Sequence, residues 1–220
     1  RWFVNNSVIA ETTANLTGTS FSKGDSLACE VTPFDGEASG TAVMSSMATV
    51  QNTPPHVVAA SITPRNAFQA STLTANAHGW YDVDGDTEAY QYLWKVNGNS
   101  AGTTATLSNT SFSRGDSVVV EITPFDGETT GAMVASFAVQ IQNTPPTVSS
   151  VSLQPTAPIT TDTIVASPSG GADADNDTVS YTYTWYVDNN VVAGETGPNL
   201  ASNHFVRGNV IAVEAAPHDG

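Results

Sequence analysis

The feature that most constrains this chain is that it repeats. Asp82-Val83-Asp84-Gly85-Asp86, followed by Tyr90, Tyr92 and Trp94, returns 91 residues later as Asp173-Ala174-Asp175-Asn176-Asp177, followed by Tyr181, Tyr183 and Trp185. Gln-Asn-Thr-Pro-Pro stands at 51–55 and again at 142–146, and Thr-Pro-Phe-Asp-Gly at 32–36 and 123–127. Ala216-Pro217-His218-Asp219-Gly220 echoes the latter block. A fixed period of this length means one folding unit used several times. The unit is long enough for a small core of its own. The divisions are 1–55, the back part of a first repeat; 56–146, a complete repeat; and 147–220, the front part of a third. The chain starts inside one repeat and stops inside another, so it reads as an excerpt of a longer array.

The period-two alternation of apolar and polar residues points to strands throughout. Val58–Ile62 and Thr72–Ala77 make two strands. Tyr90, Tyr92, Trp94 and Val96 alternate with Gln91, Leu93 and Lys95, giving a third with one buried face. Asn97-Gly98 turns the chain. Val118, Val120 and Ile122 face inward with Glu121 outward; Leu27, Cys29 and Val31, and Ile211, Val213 and Ala215, repeat that pattern. Val134–Ile141 is the closing strand. Leu107 and Phe112 match Leu16/Phe21 and Leu200/Phe205, and anchor the far side of the core. The copies differ by one or two residues between the Trp and the Phe, which marks a surface loop. About seven short strands with a Trp on the third predict an all-β chain of tandem immunoglobulin-like sandwich modules of about 91 residues.

Composition narrows the function. The formal charge is −15, with only six Lys and Arg residues. Phosphate binding needs basic side chains, so nucleic acid is excluded as a partner. The single cysteine, Cys29, corresponds to Val120 and Val213 and reads as a small core residue rather than a reactive thiol. No signal peptide or membrane span appears in this stretch.

The Asp-rich loop, the Tyr-x-Tyr-x-Trp strand, the Gly-Asp turn before the sixth strand and Pro-Phe-Asp-Gly together resemble the PKD-type and cadherin-like immunoglobulin-fold repeats of giant bacterial or archaeal surface proteins. The resemblance runs over essentially the whole chain. It implies an extracellular or cell-surface structural array.

Asp82, Asp84 and Asp86, spaced at i, i+2 and i+4, crowd three carboxylates on one side of an extended loop, and no Lys or Arg within the loop neutralises them. Each unpaired carboxylate pair at 4 Å repels by roughly 1 kcal/mol even in water. A hard cation taking oxygen ligands relieves this, and calcium suits a flexible all-oxygen loop better than magnesium. An EF-hand is ruled out, since the sixth and twelfth places from Asp82 hold Thr87 and Leu93. In a sandwich the loop after the second strand and the loop before the last share a pole. Asp126 is therefore expected near Asp82–Asp86, and Asp219 near Asp173, Asp175 and Asp177. The Asn-Thr-Pro-Pro linkers enter at that pole with little slack. The expected metal ligands are these eight aspartates.

Arg114-Gly115-Asp116 is an integrin-type tripeptide, but its counterparts are Lys23-Gly24-Asp25 and Arg207-Gly208-Asn209, so a tight turn explains the slot. His56, His78, His204 and His218 occupy unrelated repeat positions and show no zinc spacing. No catalytic residues are assigned, because the acidic pairs recur beside turns. Trp80-Tyr81, replaced by Gly171-Ala172 in the third repeat, is a possible ligand contact that would stack on a sugar or pack on a neighbouring module. Sequons occur at Asn5, Asn15, Asn109 and Asn176.

The expected function is structural: calcium-stiffened modules of a stalk, filament or adhesin shaft on a microbial surface. The partners are neighbouring repeats and, in a fibre, other copies, with strand exchange as one route to assembly. The alternative is a set of carbohydrate- or protein-binding accessory modules of a secreted enzyme.

Overall fold

The computed structural model describes residues 1–219; Gly220, the glycine of the third Asp-Gly block, lies outside the described residues. Residues 1–55 supply β1 (Trp2–Val4), β2 (Ser7–Val8), β3 (Ser26–Val31), β4 (Val43–Met44) and β5 (Ala48–Thr49). Residues 56–146 supply β6 (Ala59–Thr63), β7 (Ala67–Phe68), β8 (Leu73–His78), β9 (Ala89–Val96), β10 (Asn99–Gly102), β11 (Thr106–Leu107), β12 (Ser117–Phe125), β13 (Val134–Ala135) and β14 (Val139–Gln142). The remainder supplies β15 (Ser150–Gln154), β16 (Ile164–Ser169), β17 (Ser180–Val187), β18 (Asn190–Val191), β19 (Asn199–Leu200) and β20 (Ile211–His218). Among the described residues the helical content is two short 3₁₀ turns, Asn109–Ser111 and Ser202–His204. Among the described residues no helix is long and apolar enough to cross a membrane.

The middle repeat forms two sheets. One has the order β11-β8-β6; the other runs β10-β9-β12-β14-β7, with β13 also paired to β12. The short β7 lies parallel to β14, Ile141 opposite Ala67. A first strand that starts on one sheet and ends parallel to the last strand of the other is immunoglobulin-like topology. The third repeat repeats the plan as β15-β16-β19 and β18-β17-β20. The all-β tandem sandwich expected from the sequence is thus the architecture observed.

Compactness divides the described chain differently from the repeats. One unit comprises Arg1–Thr63, Thr74–Leu107 and Val119–Ala138; the other comprises Pro64–Leu73, Ser108–Val118 and the chain from Val139 on. In the first, Val57, Ile62, Trp94, Leu107, Val120 and Ile122 are buried. In the second, Ile164, Ala166, Trp185, Leu200 and Phe205 form a core, with Leu153, Tyr183 and Val213 packed on it. The alternation along β12 holds over all nine residues, with Val118, Val120, Ile122 and Pro124 buried.

Two expectations need correction. The closing strand is not continuous from Val134 to Ile141. Ser136 interrupts it, its Oγ accepting from the Val120 N–H at 3.1 Å while its own N–H bonds the Val120 carbonyl. The inward face expected of Leu27, Cys29 and Val31 is not buried among the described residues: Leu27 and Cys29 are half-buried and Val31 is 63% exposed, while Ala28 is buried. Residues 1–55 supply a single sheet. With no facing layer, an inward-pointing pattern has nothing to pack against.

Candidate functional site

The acidic loop is a turn rather than an extended segment. Asp82 Oδ1 accepts the N–H groups of Asp84 (2.8 Å) and Asp86 (3.3 Å). Asp173 does the same for Asp175 (2.8 Å) and Asp177 (3.0 Å). The turn closes through a left-handed residue, Gly85 at φ +78° and Asn176 at φ +65°. Glycine and asparagine are the residues that adopt this conformation most readily. Curling the loop this way gathers the carboxylates. One oxygen each from Asp82, Asp84 and Asp86 lies within 4.8 Å of the others, and likewise for Asp173, Asp175 and Asp177. Asp82 Oδ2 and Asp173 Oδ2 are shielded from solvent and have no hydrogen-bond partner.

The other carboxylates are engaged by the preceding linker and turn. Thr53 N–H donates to Asp84 Oδ2 at 2.7 Å, and Thr144 N–H to Asp175 Oδ2 at 2.6 Å. Although no basic residue belongs to the loop itself, one reaches it from the repeat before. Lys23 Nζ sits 2.5 Å from Asp86 Oδ2. Arg114 Nη1 sits 2.8 Å from Asp177 Oδ2. Lys23 also donates to Asn52 Oδ1 (3.0 Å) and Glu128 Oε1 (3.2 Å). Its ammonium is thereby held above the ordinary lysine range, chiefly by the bond to Asp86 and against the lowering effect of burial.

Asp126 stands outside the cluster of three and bonds Asn52, the neighbour in the linker of the Thr53 that reaches Asp84. Its oxygens are taken by four donors: the N–H groups of Glu128 (2.8 Å) and Thr129 (2.7 Å), Asn52 Nδ2 (2.7 Å) and Thr129 Oγ1 (3.1 Å). Asp219 accepts from Asn143 Nδ2 at 2.7 Å and likewise stands outside its triad. These two aspartates therefore serve as acceptors for the linker asparagines. Burial alone would raise the Asp126 carboxyl. The bonds from Asn52, Thr129 and Glu128 outweigh it and hold the group well below the usual carboxylate range. A depressed folded pKa stabilises above the unfolded value and is lost as pH falls through the folded one. Acid unfolding should therefore begin to draw on Asp126 below about pH 4. An Asp126→Asn chain should show a flatter dependence of melting temperature on pH in that range, measured by calorimetry.

Linker seating adds a steric element. A β-carbon on Gly131 would lie 1.8 Å from the Pro55 carbonyl oxygen, so the hairpin after Asp126 accepts the linker only because glycine stands there.

The Lys/Arg-Gly-Asp/Asn slot is the tight turn expected. Gly24 and Gly115 have φ +86° and Gly208 φ +97°. Asp25 and Asp116 accept the N–H of Ser22 and Ser113 at 2.7 Å, and Asn209 accepts that of Val206 at 2.7 Å. Asn serves there because its Oδ1 accepts the same turn N–H while its Nδ2 donates to Asp188 Oδ2 at 2.6 Å, whereas Asp25 uses its second oxygen to accept from Asn5 Nδ2 at 2.6 Å. What the sequence reading missed is the side chain this turn aims. A signal was present: three of the six basic residues of the chain, Lys23, Arg114 and Arg207, occupy this one slot.

Trp80 packs edge-on against Tyr90 of its own repeat, with ring centroids 5.7 Å apart. Tyr81 is 55% exposed and lies beside His56, centroids 5.2 Å apart, across a two-residue bridge. The third repeat has the same bridge between Thr147 and Ala172, without rings.

No protein-family model matches the chain, and no curated protein matches it. Similar solved structures include a Ca2+-stabilized adhesin that helps an Antarctic bacterium reach out and bind ice, with 13% identity and a TM-score of 0.33 over 88% of this chain. They also include the FN1–FN3 domains of chicken CNTN1, with 11% identity and a TM-score of 0.30 over 90% of this chain. The chain spans 56% of the first of these and 66% of the second.

Proposed function

We propose that this chain is a length of extracellular shaft on a microbial surface, whose repeats are stiffened at their linkers by loops that bind calcium. The observation that carries the reading is that one joint is built twice. The turn base, the linker Asn and Thr, the three-carboxylate loop and the Asp of the Asp-Gly block take the same roles at Lys23–Asp126 and at Arg114–Asp219. Repetition of a contact network, rather than of a pocket, is what a load-bearing array needs.

Calcium fits the loop on two grounds. Calcium–oxygen distances of about 2.3–2.6 Å place ligand oxygens no more than roughly 5 Å apart, the span each triad has. The three carboxylates of Asp82, Asp84 and Asp86 face one ammonium, leaving two negative charges, and the shielded Asp82 Oδ2 and Asp173 Oδ2 lack a donor. Asp82, Asp84 and Asp86 would hold one ion, and Asp173, Asp175 and Asp177 another. Asp126 and Asp219 would position the linker rather than the ion.

At a hundred times the dissociation constant each ion would add about 2.7 kcal/mol. Scanning calorimetry of the chain in millimolar calcium should give a melting temperature several degrees above that in chelator. Asp82→Asn with Asp173→Asn should abolish the difference. Equal melting temperatures for the unmodified chain in both buffers would remove calcium from this reading.

A further inference from the structure

We propose that each joint is latched by the basic residue of the turn ahead of it, Lys23 in one case and Arg114 in the other, so that it closes before any metal binds. The calcium arm of this proposal rests on the reading above; the latch itself does not.

The latch is a side chain on a rigid mount. Asp25 and Asp116 cap their turns through the Ser22 and Ser113 N–H groups, and the glycines between base and acid are left-handed. Arg114 is further held by its own N–H, which donates to Gln69 Oε1 at 2.8 Å. From that mount, two chemically different cations end on the same pair of partners. Lys23 meets Asp86 and Asn52. Arg114 meets Asp177, and its Nη1 donates to Asn143 Oδ1 at 2.6 Å. An ammonium is a compact point charge and a guanidinium a planar fork. That both converge on one Asp and one Asn means that positive charge at that place is required, rather than one shape.

The linker Asn makes the latch a relay. Its carbonyl oxygen accepts from the base and its amide donates onward, Asn52 to Asp126 and Asn143 to Asp219. The next residue's N–H closes on the loop, Thr53 on Asp84 and Thr144 on Asp175. Lys23 has three N–H donors, and Asp86, Asn52 and Glu128 accept all three. Neither Asp82 Oδ2 nor Asp173 Oδ2 takes part. Each loop therefore keeps a shielded carboxylate oxygen that the latch does not use.

The Thr53 and Thr144 amides report on the latch directly. Their hydrogen exchange should be followed in the full chain, in chelator and in millimolar calcium, for the unmodified protein and for Lys23→Met with Arg114→Met. Met keeps an apolar stem of similar length without the charge. The unmodified chain should protect both amides in either buffer. The variant should exchange them at least tenfold faster in chelator and regain most of the protection in calcium. Protection retained by the variant in chelator would overturn the proposal. So would chelation alone opening the unmodified chain as far as the variant. If calcium gives no binding heat with the unmodified chain, the metal reading falls, and the chelator comparison still decides the latch. If the Ile122 and Val213 amides also exchange fast in the variant, the swap Lys23→Arg with Arg114→Lys decides: protection kept supports the latch, and protection lost refutes it.

Discussion

Trp94→Ala should cost about 3–5 kcal/mol, the range for deleting a fully buried large aromatic. The ring has 0% exposure and its Nε1 donates to the Thr104 carbonyl at 2.8 Å. Truncation removes the most voluminous buried side chain of the repeat, leaves a void beside Gly102 and strands that carbonyl. A domain of this size is typically stable by about 5–15 kcal/mol, so the change brings the fold close to its threshold. Trp185→Ala should do the same, since Trp185 is equally buried and bonds the Gly197 carbonyl at 2.9 Å. Trp2 makes the matching bond to the Thr13 carbonyl at 3.0 Å but is only half-buried. Trp2→Ala should therefore cost clearly less. Denaturant titrations followed by circular dichroism check the ranking. A Trp94→Ala chain as stable as Trp2→Ala would contradict the burial argument.

Asn52→Ala should be the most damaging single change at the first joint, at about 3 kcal/mol. It deletes bonds to two charged partners, Lys23 Nζ and Asp126 Oδ2, and one to Thr129 Oγ1. Hydrogen bonds to charged groups contribute about 1.5–3 kcal/mol each, and the remaining water-accessible donors recover part of the loss. Asn143→Ala acts on Arg114 and Asp219 in the same way at the second joint. A sharper variant is Asn52→Asp, which keeps the acceptor for Lys23 but turns the donor facing Asp126 into a like charge. It should destabilise at least as much as Asn52→Ala at neutral pH and recover as acid protonates it. Melting curves at two pH values test this; an Asn52→Asp chain with unchanged stability would show that the linker asparagine is not a bridge.

The repeat period and most of the strand pattern were legible in the sequence, for one reason. Each follows from local alternation or from chain topology, and both are written in residue order. Tyr90, Tyr92 and Trp94 alternate because a strand has two faces. The one- and two-residue differences among the copies fall between each indole and the carbonyl it bonds, Thr13, Thr104 and Gly197, where a loop absorbs them. Even the Asn that replaces Asp at position 209 was readable as turn chemistry.

The partners of the aspartates were not legible. Asp82, Asp84 and Asp86 look unneutralised in sequence because their cation, Lys23, stands some sixty residues earlier. Nor does residue order show that Asp126 accepts from Asn52, Glu128 and Thr129. The chain alone determined a tandem of immunoglobulin-like sandwiches with a three-aspartate loop in two of the repeats. Only the tertiary structure decided which charges meet there, because electrostatic and hydrogen-bond partners are chosen by distance in space, and folding brings residues far apart in the chain to within 3 Å.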